Sequence, residues 1–236
     1  MTLNWTDSDA FEIDGVEYIC DQYGARMATE PSRFCVCKIP TIVDRYVSFL
    51  AERKPRTIVE IGILEGASTA LLAQLAQPTK LVAIEWDDAP TDKLREFITS
   101  HGLEDVVAVY GGIDQADTER LNEIMAAESP GPIDLVLDDA SHRLEPTRAT
   151  FNCLFPRLRD GGVYLIEDWA TGLLAGGPVQ LGAGQEPLMN LLCDVIRLKG
   201  RRQQVVRDVT VKQGWAEIER GSASIDLPFD VEAFGS

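Results

Sequence analysis

The feature that most constrains the fold is the recurrence of five short runs rich in Val, Ile and Leu, at residues 57–61, 81–84, 106–110, 133–137 and 163–166. Near-continuous apolar runs of this length are expected where a strand is buried on both faces, as in a parallel sheet. The segments between them fit helices. Residues 68–75, 92–100 and 118–127 have helical patterning, and residues 146–158 set Phe151, Leu154, Phe155 and Leu158 at helical spacing. Strand and helix in alternation imply a doubly wound parallel sheet with right-handed crossovers.

The tail breaks the alternation. Residues 203–212 and 215–220 are strand-like runs separated by Gln213 and Gly214, which predicts an antiparallel hairpin. The expected fold is therefore α/β: a Rossmann-like, seven-stranded, mostly parallel sheet closed by a C-terminal hairpin. Residues 42–53 read as an amphipathic helix at the start of a domain covering 41–236. Residues 1–40 have no clear period and are expected to form a cap or lid, as is the Gly-rich segment 171–184.

A chain of 236 residues suits one substantial α/β domain. No stretch approaches the roughly 18–20 apolar residues of a membrane span. The net charge of −16 argues against a protein that neutralises nucleic-acid phosphates. The short basic run at Lys199, Arg201 and Arg202 is expected to be a solvated turn. The polar, acidic N-terminus resembles neither a secretory nor an organelle-targeting segment, which makes the cytoplasm the expected location. Five cysteines without a repeated C-x-x-C pattern are expected to be reduced packing residues.

The first strand runs into Glu60-Ile61-Gly62-Ile63-Leu64-Glu65-Gly66-Ala67-Ser68. Gly62 and Gly66 allow close approach of backbone to a ligand. The spacing departs from the G-x-G-x-x-G of dinucleotide sites, because Leu64 stands where the second glycine would be. Glu85 ends the second strand, where a carboxylate can accept both hydroxyls of a ribose, and Trp86 beside it offers an aromatic face to an adenine.

The fourth strand ends in Asp138-Asp139-Ala140-Ser141-His142 and the fifth in Glu167-Asp168-Trp169. In a doubly wound sheet these strand ends border the ligand crevice. Any one of these residues is ordinary strand-end chemistry; four carboxylates and a histidine at one crevice are not. Such a cluster repels unless it takes up protons or a cation, and Mg²⁺ or another hard divalent ion prefers oxygen ligands. An ion on Asp139, Glu167 and Asp168 could lower the pKa of a substrate hydroxyl, with His142 placed to remove its proton.

The glycine loop with its two acids resembles the cofactor motifs of class I S-adenosylmethionine-dependent methyltransferases. The resemblance implies that Gly62 and Gly66 border the methionine part of the cofactor, that Glu60 orients it through the loop, and that Glu85 binds the ribose. Ser68, Trp86, Ile113 in the Gly111–Asp114 segment, and Asp138 complete the expected cofactor contacts. The DDASH string followed by Gly161-Gly162-Val163-Tyr164-Leu165-Ile166-Glu167-Asp168 resembles metal-dependent macrolide-sugar O-methyltransferases of the mycinamicin type, and the cephalosporin-hydroxylase-like branch. This similarity covers roughly residues 41–220 and is most specific over 138–168. It implies Asp139, Glu167 and Asp168 as metal ligands and His142, assisted by Asp139, as the catalytic base. It does not extend to the long N-terminal auxiliary domain of the macrolide enzymes or to their substrate loop.

The expected function is O-methylation of a small-molecule hydroxyl, on a natural product or a sugar, with homo-oligomerisation compatible with it. Two other readings fit part of the pattern: a cofactor-binding accessory protein of a biosynthetic pathway, and an NAD-dependent oxidoreductase, which the glycine spacing and the hairpin disfavour.

Overall fold

The computed structural model describes residues 3–26, 32–88, 90–128, 131–173, 181–182 and 184–233. Most of the 171–184 segment, expected to form a lid, lies outside them. Four strands come first: β1 (Asn4–Trp5), β2 (Ala10–Ile13), β3 (Val16–Cys20) and β4 (Phe34–Val36), followed by helix α1 (Pro40–Arg53). Then come β5 (Thr57–Ile61), α2 (Ala67–Ala76), β6 (Lys80–Ile84), α3 (Asp92–Ser100), β7 (Val107–Tyr110), α4 (Thr118–Glu128), β8 (Ile133–Asp138) and α5 (Leu144–Leu154). A 3-10 turn at Phe155–Arg157 leads into β9 (Leu158–Glu167), α6 (Met189–Arg201), β10 (Val206–Val211) and β11 (Trp215–Arg220).

The large sheet has seven strands in the order β10-β11-β9-β8-β5-β6-β7. Strands β5 to β9 pair in parallel, while β11 runs antiparallel to both β9 and β10. This is the expected Rossmann-like sheet with its terminal hairpin. The chain leaves β5 towards β6 on one side and returns to β8 on the other, so the crevice between β5 and β8 is the topological switch point.

Successive side chains on a strand point to opposite faces. Ile58, Leu81, Ala83, Leu135, Leu137, Val163 and Leu165 pack with α1, α2, α3 and the N-terminal strands. Their neighbours Val59, Val82, Val136, Tyr164 and Ile166 pack with α4, α5 and α6. The sheet thus separates two cores, and each strand-end acid falls to one side according to its position.

Two elements differ from expectation. Residues 1–40 contain a four-stranded sheet in which Phe11, Tyr18 and Phe34 stack in sequence and join the first core. Tyr18 donates to Gln74 Oε1 at 2.5 Å, tying this sheet to α2. The Lys199–Arg202 run is not a turn between elements. Lys199 and Arg201 occupy the last turn of α6, whose Leu191, Leu192, Val195 and Leu198 are buried. Basic side chains are favourable there because the helix dipole leaves negative charge at the C-terminus. No described helix is long and apolar enough to cross a membrane.

Candidate active site

The loop after β5 turns at Gly62 (φ +85) and Gly66 (φ +88), conformations that L side chains adopt at a cost. A Cβ at Gly62 would lie 2.6 Å from both the Asp139 carbonyl oxygen and the Ala140 Cα. The first loop therefore lies directly against the DDASH turn, and Asp139 N–H donates back to Ile61 O at 2.9 Å. A Cβ at Gly66 would meet the Leu94 side chain of α3 at 2.5 Å. In this structure the glycines are required by protein packed against protein.

Glu60 is fully buried on the α1–α2 side. Thr69 Oγ1 donates to its Oε2 at 2.7 Å, and its Oε1 has no hydrogen-bond partner among the described residues. Burial pushes the carboxyl up to about 7, against the opposing effect of the Ser68 and Thr69 hydroxyls. Because the folded protein then holds this proton more tightly than the unfolded chain, stability should fall as pH rises from about 4.5 to about 7. Glu60→Gln is expected to flatten that part of the profile, as read from urea midpoints on either side of the window. An unchanged slope would assign the proton elsewhere.

Glu85 is satisfied by backbone. Its Oε2 accepts from Ile63 N (2.8 Å) and Leu64 N (2.6 Å), and its Oε1 from Trp86 N (2.7 Å) and Asp87 N (3.2 Å). A carboxylate has about four acceptor positions, so a ribose would share or replace these donors. Trp86 is 67% exposed and Leu64 55%, so both present apolar surface to solvent beside Glu85. Ile113 N donates to Glu85 O at 2.9 Å and Gly112 N to Asp87 O at 2.9 Å, which sets the turn after β7 beside the same strip. The unpartnered Glu60 oxygen and the exposed Trp86 at this loop fit an adenosyl cofactor.

The four carboxylates do not converge as expected. Asp138 shares a face with Val136 and points into the second core, only 3% exposed. There Tyr164 donates to its Oδ2 at 2.6 Å and Gln115 Nε2 to its Oδ1 at 3.3 Å, while burial pushes it up to about 6. Asp139, one residue on, turns to the other side. His142 Nε2 lies 3.9 Å from Asp139 Oδ1, and donor atoms of Asp139, His142 and Asp168 fall within 4.8 Å of one another. His142 (φ 52) and Asp168 (φ 47) both hold left-handed backbone. Strain of this kind is concentrated where a side chain must be aimed. Asp168 N donates to Gly214 O at 2.7 Å, so the β10–β11 turn braces it.

Glu167 is absent from that group. Its carboxylate faces the first core, where Lys38 Nζ lies 2.9 Å from it and 2.8 Å from Asp139 Oδ2. The Tyr46 hydroxyl donates to Glu167 Oε1. Burial alone would favour a neutral Lys38; the two carboxylates outweigh it and hold the ammonium above the usual lysine value. The expected divalent ion on Asp139, Glu167 and Asp168 does not fit these residues as they stand, since Lys38 and Tyr46 occupy the Glu167 oxygens that would face it.

Several of these residues were missing from the sequence-derived site: Lys38, Tyr46, Gln115 and Tyr164. Gln115 joins the turns, accepting from Ser141 N at 2.9 Å and donating to Thr150 Oγ1 at 3.1 Å. An open hollow of about 690 Å³ lined by Ile196, Lys199, Gln203 and Arg207 lies at the opposite rim, where β9 and β10 begin, away from these groups.

Residues 59–169 match the family model described as a methyltransferase domain, from β5 through the Glu167-Asp168 pair. Demethylmacrocin O-methyltransferase of Streptomyces fradiae is 39% identical over 92 residues, which is 39% of this chain and 22% of that protein. Mycinamicin VI 2''-O-methyltransferase of Micromonospora griseorubida is 46% identical over 63 residues, 27% of this chain and 15% of that one. The matches thus span about a fifth or less of the length of these curated relatives. Among solved structures, the mycinamicin pathway methyltransferase MycE in complex with Mg, SAH and mycinamicin VI superposes with a TM-score of 0.57 at 24% identity, over 79% of this chain and 50% of that one. The O-methyltransferase TomG from Streptomyces achromogenes, in complex with SAM, gives 0.59 at 19% identity, over 85% and 88%. Residues 59–169 thus carry a segment similar to methyltransferase domains, and the chain shares its fold with these solved O-methyltransferases.

Proposed function

We propose that the protein is an O-methyltransferase that moves a methyl group from S-adenosylmethionine to a hydroxyl of a small molecule, a glycosylated natural product or a sugar. The observation that supports this reading is the contact of the Gly62 loop with the Asp139-Ala140 backbone, which sets that loop directly beside the Asp139–His142–Asp168 group. The named activities of the curated relatives, O-methylation of macrolide and sugar hydroxyls, support the acceptor class.

When bound, S-adenosylmethionine supplies a methyl group already activated by the positive sulfonium. Glu85 would hold the ribose, Trp86 and Ile113 the adenine, and the Gly62–Gly66 turn the methionine end, with Glu60 and Ser68 beneath it. Asp138, held by Tyr164 and Gln115, would support the loop from the second core. His142 then takes the proton of the acceptor hydroxyl as its oxygen accepts the methyl, and Asp139 beside it favours the imidazolium that results. Much of the rate would come from holding donor and acceptor together. A reducing, cytoplasmic setting suits its five free thiols.

The test is binding of S-adenosylhomocysteine by calorimetry, followed by transfer of labelled methyl from S-adenosylmethionine to a panel of glycosides and free sugars. Saturable binding and a labelled product are expected; no binding would end the reading. Glu85→Ala should weaken binding by about 1.5–3 kcal/mol, the value of hydrogen bonds to a charged group. Unchanged affinity would remove Glu85 from the ribose.

A further inference from the structure

We infer that the ammonium of Lys38 is the cation around which the acidic site is built, standing in place of a divalent metal ion. This rests on the methyltransferase reading only for its consequence in turnover; the ion-binding claim stands by itself. Lys38 Nζ is 2.8 Å from Asp139 Oδ2 and 2.9 Å from Glu167, and its side chain is 6% exposed. Two carboxylates that converge on one nitrogen leave no room for an ion bridging the same oxygens, because a magnesium ion would need them at about 2.0–2.1 Å from a point the nitrogen already fills. Tyr46 closes the other side: its hydroxyl donates to Glu167 and its ring centroid lies 5.7 Å from the Lys38 nitrogen.

The N-terminal sheet delivers this charge. Lys38 sits on the link between β4 and α1, where its backbone N–H donates to Val36 O at 2.7 Å. Phe34 and Val36 on either side of Cys35 are buried in the first core, so the link is anchored at its start. Asp139 keeps its Oδ1 towards His142 while its Oδ2 holds Lys38. The lysine therefore offsets one negative charge of the Asp139–Glu167 pair and fixes the carboxylate that faces the base. An ammonium supplies part of the charge compensation that the acids demand, without open coordination positions for the acceptor's oxygens. The acceptor then need not present two adjacent chelating oxygens, and a single hydroxyl suffices.

The experiment is titration of chelator-treated wild-type protein with Mn²⁺, followed by electron paramagnetic resonance, with the thermal midpoint read in Mg²⁺ and in EDTA. S-adenosylhomocysteine affinity is measured on the same samples. The expected results are no saturable Mn²⁺ uptake below the millimolar range, a midpoint indifferent to Mg²⁺ and EDTA, and turnover that survives EDTA. Lys38→Met should gain Mn²⁺ affinity by at least about tenfold, since removing one partner leaves buried acids without compensation, and its midpoint should become Mg²⁺-dependent. Stoichiometric Mn²⁺ binding to the wild type, lost in Asp168→Asn, would overturn the inference, whether or not Lys38→Met folds. So would a folded Lys38→Met protein that neither gains Mn²⁺ affinity nor loses stability. Loss of S-adenosylhomocysteine binding in the wild type would count against the methyltransferase reading alone.

Discussion

Replacing His142 with Asn is expected to lower kcat for methyl transfer by about 10²–10⁴-fold, the usual contribution of a positioned general base, with little change in affinity for S-adenosylhomocysteine. Asn is chosen because His142 holds left-handed backbone at φ 52, a conformation that Asn adopts more readily than most residues. An alanine would mix strain in the DDASH turn with loss of the imidazole. Asn keeps polar atoms near Asp139 but takes up no proton near neutrality, so the variant isolates proton transfer. Steady-state rates with a methylated acceptor, alongside calorimetry with S-adenosylhomocysteine, separate the outcomes. Turnover within a few-fold of wild type would remove the base assignment. A parallel loss of cofactor affinity would make His142 a positioning residue of the loop.

Gly62→Ala is expected to destabilise the fold by roughly 2–5 kcal/mol, adding the left-handed penalty to that of overpacking. The added methyl would stand 2.6 Å from the Asp139 carbonyl oxygen and from the Ala140 Cα. Both are backbone atoms, so no side chain can swing aside, and the turn carrying Asp139 and His142 must move. Gly102→Ala is the matched control, because Gly102 also has positive φ (+64) but open space around it. It should show the conformational penalty alone, about 1–2 kcal/mol. Urea denaturation of both proteins gives the difference directly. If Gly62→Ala costs no more than Gly102→Ala, the close contact between loop and turn is not tight. Among molecules that remain folded, methyl transfer should be largely lost, since small displacements of reacting groups cost large factors in rate.

The two variants probe motifs that were readable one at a time. The glycines of 62–66, the acid at 85 and the DDASH string announce themselves because each is a local departure from an apolar run. Their meeting was also readable, since strand-end residues of a doubly wound sheet share a crevice. The division among the acids was missed, although the alternation of strand side chains contains it. Asp138 shares the face of Val136 and goes to Tyr164, while Glu167 shares the face of Leu165 and goes to Tyr46 and Lys38.

The N-terminal sheet was likewise legible in part. Asp14-Gly15 separates two apolar runs, and both residues have positive φ, the turn chemistry of a two-residue hairpin. Helix α6 had its signal in Leu191, Leu192, Val195 and Leu198 at helical spacing. In both cases the pattern was short and bordered by irregular chain, which hid it.

The sequence by itself determined the seven-stranded sheet, the terminal hairpin and the acid-bearing strand ends, because hydrophobic period and turn residues act over a few neighbouring positions. Only the tertiary structure decided which cation meets those acids. Lys38 lies 101 residues from Asp139 and 129 from Glu167, and nothing in its own neighbourhood marks it for them. A charge is buried where topology brings opposite charges together, and that depends on how the whole chain packs rather than on any local pattern.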